Sequence, residues 1–386
     1  MPSLLARHLR PVATALLVGV AGCSGGPPPP SDGLVGGAGS SGDGTDTGLE
    51  DGSTDEGSTG EAEPADPCAE ACRDLADQSG IAMCHACRCK DAFDGWLPSV
   101  DELQCGHGEA IVTYHAELLD DGYELRPTGP SATRCANPSL LTGSCRQGSR
   151  LGHLTHGDVS VYWVCRDPYL DYDGSVIYED MAVIGHNART GATCFWDDIN
   201  DVMHDDDAPP LDLLDASEAE RARSIERFAY NDGSGCISCH DHDPFVYTPY
   251  LQSTSWTSIA ADKGPYHLVE LGGTPRATGV MELVSPQAAP CTSCHRIGSV
   301  GTCSLFAPDS LAAHKLDAYE PAVLEASDPS SPSWRLAHWM PDASQSFVDY
   351  AQWEASFAEA RDHVLRCCES PGVDADGCRW APISAH

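Results

Sequence analysis

The sequence predicts a mixed fold, in which a disulfide-rich α+β domain is followed by a mainly α-helical domain. Ten of the 19 cysteines lie between residues 68 and 194. Short runs of β-type character occur in the same stretch, and helical periodicity replaces them after residue 210. We therefore expect one domain over residues 68–210 and a second over residues 211–386, a length sufficient for two hydrophobic cores.

The N-terminal residues have the pattern of an export signal. A basic start is followed by an apolar run at residues 12–21, which is too short for a bilayer that requires about 20 residues. This predicts a signal peptide over residues 1–22. Residues 20–23, Val-Ala-Gly-Cys, resemble the lipobox of bacterial lipoproteins, which implies that Cys23 is acylated and becomes the first mature residue. An ordinary signal peptide with an incidental cysteine is the alternative.

A polar tether is expected after the acylated cysteine. Residues 23–67 are rich in Gly, Ser, Asp and Glu and contain no Lys or Arg, so they offer too little apolar surface to fold. A flexible chain of this length reaches roughly 35–40 Å, which would hold a folded body away from a lipid surface. By the same resemblance, Ser24 favours the outer membrane, facing the periplasm or the cell surface.

The charge limits the partners that the chain can bind. Its formal net charge is −36, from 58 acidic and 22 basic residues. Such an excess of acid argues against nucleic acid as a partner, since phosphates would be repelled. A redox partner protein with a basic docking patch fits better, although solubility alone also explains the charge.

The elements of the first domain follow from local patterns. Asp66-Pro67 fits a helix N-cap and first turn, which predicts a short helix through about Gln78. Three alternating runs, at residues 110–115, 158–165 and 176–184, predict strands separated by Gly, Asp and Asn turns. No nucleophile–base arrangement is defined here, and no catalytic residue is assigned.

Two helices are expected in the second domain. Asp215 or Ser217 can cap the first of them, which carries apolar residues at three- and four-residue spacing. Residues 347–365 show a similar periodicity and predict a terminal amphipathic helix.

Two copies of Cys-x-x-Cys-His lie between these helices, at residues 236–240 and 291–295. Two cysteines three residues apart can add to both vinyl groups of a haem, and the following histidine then ligates the iron. This is the c-type haem attachment pattern. It predicts two covalently attached haems c, bound through Cys236, Cys239 and His240 and through Cys291, Cys294 and His295.

The remaining cysteines form an even set. Without Cys23 and the four motif cysteines, fourteen are left, which could close seven disulfides in an oxidising compartment. Their pairing does not follow from the sequence. The set consists of Cys68, Cys72, Cys84, Cys87, Cys89, Cys105, Cys135, Cys145, Cys165, Cys194, Cys303, Cys367, Cys368 and Cys378.

Metal binding is the competing interpretation of two cysteine clusters. Residues 84–89, Cys-His-Ala-Cys-Arg-Cys, could hold a metal, but structural disulfides are favoured in an exported chain. Cys236, Cys239, His240 and His242 could form a zinc set. The second motif has no counterpart of His242, so haem attachment explains both motifs and zinc explains only one.

Residues 215–386 resemble class I cytochromes c in the order of helix, attachment motif, distal ligand and terminal helix. Trp339-Met340-Pro341 resembles the distal-ligand loop of that family, which implies Met340 as the second iron ligand of the second haem. For the first haem, Met281 is the first choice and His267 the second. The two motif histidines are only 55 residues apart, which is short for a complete class I domain, so one fused di-haem domain is expected.

The function predicted from these features is electron transfer by a membrane-tethered di-haem c-type cytochrome. One alternative is an oxidoreductase of the di-haem peroxidase kind, with one open haem. Another is a lipoprotein whose cysteine-rich domain binds a ligand or partner, with accessory haems.

Overall fold

The computed structural model describes most of the chain between residues 66 and 383, within the second of two units, Ala62–His386. The signal peptide, Cys23 and the tether up to residue 65 lie outside the described residues, as do Cys294, His295 and Met340. The described ranges are 66–197, 203–204, 208–228, 230, 236–246, 248–255, 264–272, 276–277, 279–293, 296–307, 318–326, 328, 330–331, 333–337 and 349–383.

Helices and strands are both well represented in these ranges. The helices are α1 (Gln78–Ala92), α2 (Glu218–Arg227), α3 (Ala289–Thr292), α4 (Pro321–Ala326) and α5 (Tyr350–Cys367). The strands are β1 (Glu109–Ala110), β2 (Tyr114–Leu119), β3 (Gly122–Pro127), β4 (Arg150–His156), β5 (Val159–Arg166), β6 (Tyr169–Leu170), β7 (Val176–Tyr178), β8 (Asp180–Asn187), β9 (Ala192–Asp197), β10 (Met203–His204), β11 (His267–Leu268), β12 (Arg276–Ala277), β13 (Met281–Leu283) and β14 (Trp380–Pro382). Among the described helices, none combines the length and the apolar character needed to cross a membrane.

A seven-stranded sheet is the main structural element, with the strand order β1-β4-β5-β8-β9-β11-β12. Its neighbours are antiparallel except β9 and β11, which are parallel. Strands β5 and β8 alternate between buried and half-buried residues, as expected where one face is covered more completely than the other. The strand predicted at residues 158–165 is confirmed as β5, and so is the mixed α and β fold. The run at residues 176–184 instead forms two strands, β7 and part of β8, and the run at residues 110–115 overlaps only the end of β1 and the start of β2.

Helix α1 covers one face of this sheet. Phe93, at its C-terminal end, is fully buried with Val161 and Trp163 of β5. Gly185 of β8 makes room for the Phe93 ring, which occupies the place where a side chain would stand. The main hydrophobic core of the described residues therefore lies between α1 and the sheet.

The helix predicted from Asp66 is wrong in position. Residues 67–72 form turns, and the helix begins only at Gln78, where the Asp77 side chain accepts a hydrogen bond from the Gly80 N–H at 2.8 Å. Asp66 does cap a turn, because its side chain accepts from the Cys68 N–H at 2.9 Å. Two disulfides connect this turn to α1.

Seven disulfides are present among the described residues, and they use all fourteen cysteines of the predicted set. This confirms the disulfide prediction and fits export to an oxidising compartment. Five of the bonds lie within residues 68–194, which agrees with the disulfide-rich character expected there. In residues 84–89 every cysteine is disulfide-bonded, as expected. The pairs are Cys68–Cys87, Cys72–Cys84, Cys89–Cys194, Cys105–Cys165, Cys135–Cys145, Cys303–Cys368 and Cys367–Cys378.

The opposite face of the sheet is covered by the segment that follows the first Cys-x-x-Cys-His motif. The Phe245 ring packs edge-on against Tyr162 of β5, with 4.6 Å between the ring centroids. Tyr250 is buried in a small cluster with Ile111 and Leu151. The motif is therefore anchored on the sheet, on the side away from α1.

Helix α2 leads towards the first motif and confirms the predicted helix. Its N-cap is Ser217, the second of the two expected candidates, in a reciprocal capping box with Glu220. Phe228 and Tyr230, just after the helix, are buried in the core beneath α1, as is Leu211 before it. The domain boundary near residue 210 and the mainly helical character of residues 211–386 remain predictions.

The C-terminal residues form a smaller layer around α5, which confirms the terminal helix. It begins at Tyr350, where the Asp349 side chain accepts from the Gln352 N–H at 2.9 Å. Val364 and Cys367 of α5 are buried with Leu283 of β13. Strands β13 and β14 pair antiparallel beside them.

Candidate functional site

The first motif forms a tight turn that groups its reactive side chains. Cys236–Ser238 is one turn of 3₁₀-helix, and the Cys239 N–H donates to the Cys236 carbonyl at 3.1 Å. Residues three apart lie above one another on a 3₁₀ turn, so both sulfurs leave the backbone on the same side. The His240 N–H also donates to the Cys236 carbonyl, at 2.9 Å, which holds the histidine next to this pair.

The described motif cysteines are outside the disulfide network. Cys236, Cys239 and Cys291 take part in none of the seven disulfides and are half-buried. Burial, and then the charge of Asp241, raises the pKa of Cys239. Burial raises the pKa of Cys291 to about 11. Near neutral pH Cys239 and Cys291 are therefore protonated thiols.

His240 is held as a neutral imidazole. Burial lowers its pKa to about 4, and the neighbouring charge of His242 acts in the same direction, while the Pro244 backbone opposes the shift. The ring lies 5.4 Å from that of Phe195, between centroids, and the Tyr266 hydroxyl donates to the His240 carbonyl at 2.7 Å. Its Nδ1 is buried and has no hydrogen-bond partner among the described residues. A neutral imidazole is the form that ligates a metal.

A buried carboxylate joins the first motif to the residues that follow the second. Asp241 is fully buried, and its Oδ2 accepts from the Val300 N–H at 2.6 Å. Its Oδ1 accepts from the Thr302 N–H at 3.1 Å and from the Thr302 hydroxyl at 2.8 Å. These three hydrogen bonds to one buried carboxylate form a strong junction, since each bond is charge-assisted.

His242 completes this junction as the fourth donor. Its Nδ1 lies 3.1 Å from Asp241 Oδ1 and 2.8 Å from Thr302 Oγ1. Its ring centroid is 6.0 Å from that of Phe306. The side chain is 10% exposed, so the imidazole is enclosed between the first motif and residues 302–306.

A second link is made by a residue after the second motif, which bonds to residues after the first. Arg296, which directly follows His295 in sequence, is buried and donates from Nη1 to Asp243 Oδ1 at 2.8 Å and to the His242 carbonyl at 3.4 Å. It also donates to the Gly264 carbonyl. The residues after each motif therefore pack against those after the other.

The backbones also approach each other closely at Gly301. A Cβ at this position would lie 2.9 Å from Cys239 Cα and closer still to the Ser238 carbonyl oxygen. Only glycine fits at this contact without a backbone shift. The loop after the second motif is thus packed directly on the turn of the first motif.

The two candidate distal ligands for the first haem lie in different surroundings. Met281, on β13, packs against the same hydrophobic cluster as Cys291, and its N–H donates to Ser299 Oγ at 3.1 Å. His267 is buried on β11, near His186, whose pKa is lowered to about 4 by burial and then by the charge of His267. The ligand roles of Met281, His267 and Met340 remain predictions.

No zinc set is assembled at the first motif. In the described part of the chain, two groups bring three possible ligand atoms within 4.8 Å of one another, His85–Cys89–Cys194 and His363–Cys367–Cys378. The cysteines of each group are bonded to each other in a disulfide. Cys236, Cys239, His240 and His242 do not form such a group.

Sequence reasoning did not find Asp241, Arg296 or Thr302. A signal was present, because an acidic Asp-His-Asp follows the first motif whereas an arginine follows the second. Opposite charges after two repeated motifs are compatible with an ion pair, but the pattern is too short to predict a contact between residues about 60 positions apart.

Comparison with known proteins adds no further identification: no protein-family model, curated protein or solved structure matches this chain.

Proposed function

We propose that this protein is a membrane-tethered di-haem c-type cytochrome that transfers electrons. The main support is that the cysteines fall into two sets, one bonded in disulfides and one, in the two motifs, outside them. All fourteen cysteines of the predicted set are disulfide-bonded, whereas Cys236, Cys239 and Cys291 are not part of that network. Thioether bonds to haem use these thiols, and the two motifs provide them at the required spacing.

The chemistry of the first motif supports the proposal. The turn directs Cys236 and Cys239 to one side, and His240 beside them is a neutral imidazole. These residues would hold the first haem, with His240 on its iron. The corresponding residues Cys291, Cys294 and His295 would hold the second. When bound, haem supplies the one-electron carrier that protein side chains lack.

The links between the motifs support one fused unit. Asp241 and Arg296 each connect the residues after one motif to those after the other. Haems attached at both motifs would belong to a single folded body and would exchange electrons over a short distance. We propose that residues 211–386 form this cytochrome c-like unit, with the cysteine-rich residues 68–210 beside it.

The tether and the charge complete the proposed setting. Acylation of Cys23 would anchor the chain in a membrane of the bacterial cell envelope, the outer membrane being favoured. The acidic chain, with a net charge of −36, would dock with a redox partner that has a basic patch.

Haem stoichiometry tests the proposal. We expect the full chain, produced in a bacterium that attaches haem c, to carry two covalent haems, measured by mass spectrometry and by haem absorbance of the denatured protein. Replacing Cys236 and Cys239 with alanine should leave one haem, as should replacing Cys291 and Cys294. Ser238→Ala, a matched change at a non-attaching position of the motif, should leave two.

A chain without covalent haem would overturn the proposal. If two haems are present but one is high-spin and the protein turns over hydrogen peroxide, the peroxidase alternative replaces the carrier. Two low-spin haems without peroxide turnover support electron transfer.

A further inference from the structure

We propose that the Cys367–Cys378 disulfide is a second redox centre, which accepts two electrons from a dithiol. Cys378 Sγ is the atom that the incoming thiolate attacks, Cys367 Sγ is the sulfur that leaves, and His363 donates the hydrogen bond that stabilises the leaving sulfur. All three residues lie in the described part of the chain. The inference goes beyond the proposed function and does not depend on haem attachment.

A histidine lies beside this disulfide near the C-terminal end of α5. His363 Nε2 is 3.5 Å from Cys367 Sγ, which follows it by four residues on the helix. One ring nitrogen of His363 and the two sulfurs all lie within 4.8 Å of one another. His363 and Cys367 are both buried. The imidazole is therefore in contact with the disulfide bond itself.

The contacts of the ring determine which nitrogen carries the proton. Arg366 Nη2 lies 2.9 Å from His363 Nδ1. A guanidinium only donates, so Nδ1 is the acceptor, and in a neutral ring the proton is then on Nε2. Burial, and then the charge of Arg366, lower the pKa of His363, while Glu359 opposes the shift, so the ring is neutral near neutral pH. The remaining N–H is the one that faces Cys367 Sγ.

The two cysteines differ in their access from solvent. Cys367 is 1% exposed, whereas Cys378 is 7% exposed and lies between two exposed residues, Gly377 and Arg379. Reduction of a disulfide requires that one sulfur is reached by a thiolate and that the other leaves. Cys378 is therefore the sulfur that is attacked, and Cys367, beside His363, is the sulfur that leaves.

The reaction is a two-electron reduction of the disulfide. A thiolate of the dithiol attacks Cys378 Sγ and forms a mixed disulfide, and the Cys367 sulfur leaves as a thiolate with the electron pair of the broken bond. The second thiolate of the dithiol then attacks the sulfur that the dithiol contributed to the mixed disulfide, which releases the Cys378 thiolate. The two protons of the dithiol end on the two cysteines. The dithiol is oxidised to a disulfide, and the Cys367–Cys378 bond is reduced to two thiols.

The hydrogen bond from His363 becomes stronger as Cys367 becomes an anion. A disulfide sulfur is neutral, whereas a thiolate carries a full negative charge, and hydrogen bonds to charged groups are the stronger kind. A thiol with a lower pKa also leaves faster. Because Cys367 is the last residue of α5, the helix dipole disfavours an anion there. The His363 Nε2–H offsets this effect and makes Cys367 a good leaving group.

The Cys89–Cys194 disulfide provides a comparison within the same chain. His85 stands four residues before Cys89 on α1, and its ring nitrogens lie 3.7 and 3.8 Å from Cys89 Sγ. This is the same spacing as that of His363 and Cys367. However, His85, Cys89 and Cys194 are at most 4% exposed, and both cysteines belong to the main core. A thiolate has no path to this bond in the folded chain, so we assign it a structural role.

Differential alkylation of the folded full chain tests the proposal. After the thiols that are already free have been blocked, a limited amount of dithiothreitol at neutral pH should open Cys367–Cys378 before the other six described disulfides. Mass spectrometry of the alkylated peptides identifies the opened bond. Glutathione, a monothiol, should leave its adduct on Cys378 and a free thiol at Cys367. Earlier opening of another bond, including the neighbouring Cys303–Cys368, or an adduct on Cys367 would overturn the proposal.

Two substitutions at position 363 separate a chemical role from a packing role. His363→Leu should slow the opening of Cys367–Cys378 about tenfold, because it removes one hydrogen bond to a charged group. His363→Gln keeps an N–H donor of similar reach and should retain most of the wild-type rate. His85→Leu is the matched control and should leave this rate unchanged. An unchanged or faster reaction in His363→Leu, as expected if the ring only packs against α5, would overturn the role of His363. If His363→Leu does not fold, the order of opening and the adduct site in the wild type decide.

The dithiol can be a small molecule or part of a partner protein, since both reduce the bond by the same chemistry. Dithiothreitol and reduced thioredoxin, compared at equal dithiol concentration, distinguish these two sources. A faster reaction with thioredoxin supports a protein dithiol, and a faster reaction with dithiothreitol supports a small one. Opening of Cys367–Cys378 by neither reagent in the folded chain would overturn the proposal.

Discussion

Asp241 is the residue on which the arrangement of the two motifs depends most directly. It directly follows His240 and lies fully buried among donors from Val300, Thr302 and His242. Its position is so closely packed that Gly298, opposite its carboxylate, has no room for a side chain. One side chain thus fixes both the direction of the chain after the first motif and the path of the loop after the second.

Gly301 offers a test of the contact between this loop and the turn of the first motif. Gly301→Ala should lower the free energy of unfolding by about 1–3 kcal/mol, because the new Cβ meets the backbone of Ser238 and Cys239 rather than a flexible side chain. Urea denaturation of the full chain measures this loss. Gly129→Ala is the matched control, since a Cβ there meets nothing within 4 Å. Equal stabilities for the two variants would show that the close approach does not exist in solution.

His85 makes folding dependent on pH. Burial lowers its pKa to about 4 in the folded chain, whereas the unfolded chain binds the proton near its ordinary pKa of about 6.5. Between these values the unfolded state binds more protons, so stability is lost as the pH falls from 6.5 towards 4. Protonation at this site therefore lowers the free energy of unfolding by about 2 kcal/mol between pH 7.5 and pH 5.

The difference between wild type and His85→Gln isolates this effect. The free energy of unfolding of the variant should fall less steeply over that pH range, by about the same 2 kcal/mol. Urea denaturation at pH 7.5 and pH 5 provides the comparison. Parallel pH dependences of the two proteins would mean that His85 is not buried as a neutral ring.

At the scale of elements, the alternation of residue types along the sequence indicated the central strands of the sheet. Capping residues predicted helix α2 correctly but placed the first helix in the wrong position. Strands β5 and β8 were predictable because their residues alternate and their two faces are covered unequally. Helix α2 was predictable from Ser217 and Glu220, which form a complete local cap.

Helix α1 was missed because its signals are not local. Its buried side includes Cys84, His85, Cys87 and Cys89, residues that do not read as an apolar stripe. Their burial depends on disulfides to Cys68, Cys72 and β9, which no local pattern reveals. For the same reason the candidate site could be predicted from the sequence only in part. The turn of the first motif depends on five consecutive residues, but the Asp241 junction joins residues about 60 positions apart, so it forms only in the complete fold.

At the scale of the molecule, covalent links hold the first half of the chain together. The Cys89–Cys194 bond closes a loop of 105 residues between α1 and β9, and Cys105–Cys165 closes one of 60. Both lie in the main core, so the sheet and its covering helix are fixed to each other. The face that carries the first motif is thereby supported by a constrained layer.

Removal of the longest link should therefore be costly. Replacing Cys89 and Cys194 together with alanine should lower the free energy of unfolding by about 4–5 kcal/mol, since a loop of about 100 residues is released in the unfolded chain. The same change at Cys135 and Cys145, ten residues apart, should cost less, about 3 kcal/mol. Thermal or urea denaturation of the two double variants gives the ranking, and a reversed order would contradict the expectation from loop length.

The adjacent residues Cys367 and Cys368 make incorrect disulfide pairing possible when the C-terminal layer forms. They bond in different directions, to Cys378 and to Cys303. An exchanged pairing differs from the native one by a single step along α5, a rotation of about 100° around the helix axis. Oxidation in an exported chain can therefore form this exchanged pairing, and its correction requires thiol–disulfide exchange. The yield of native protein should then depend on an isomerase as much as on the sequence.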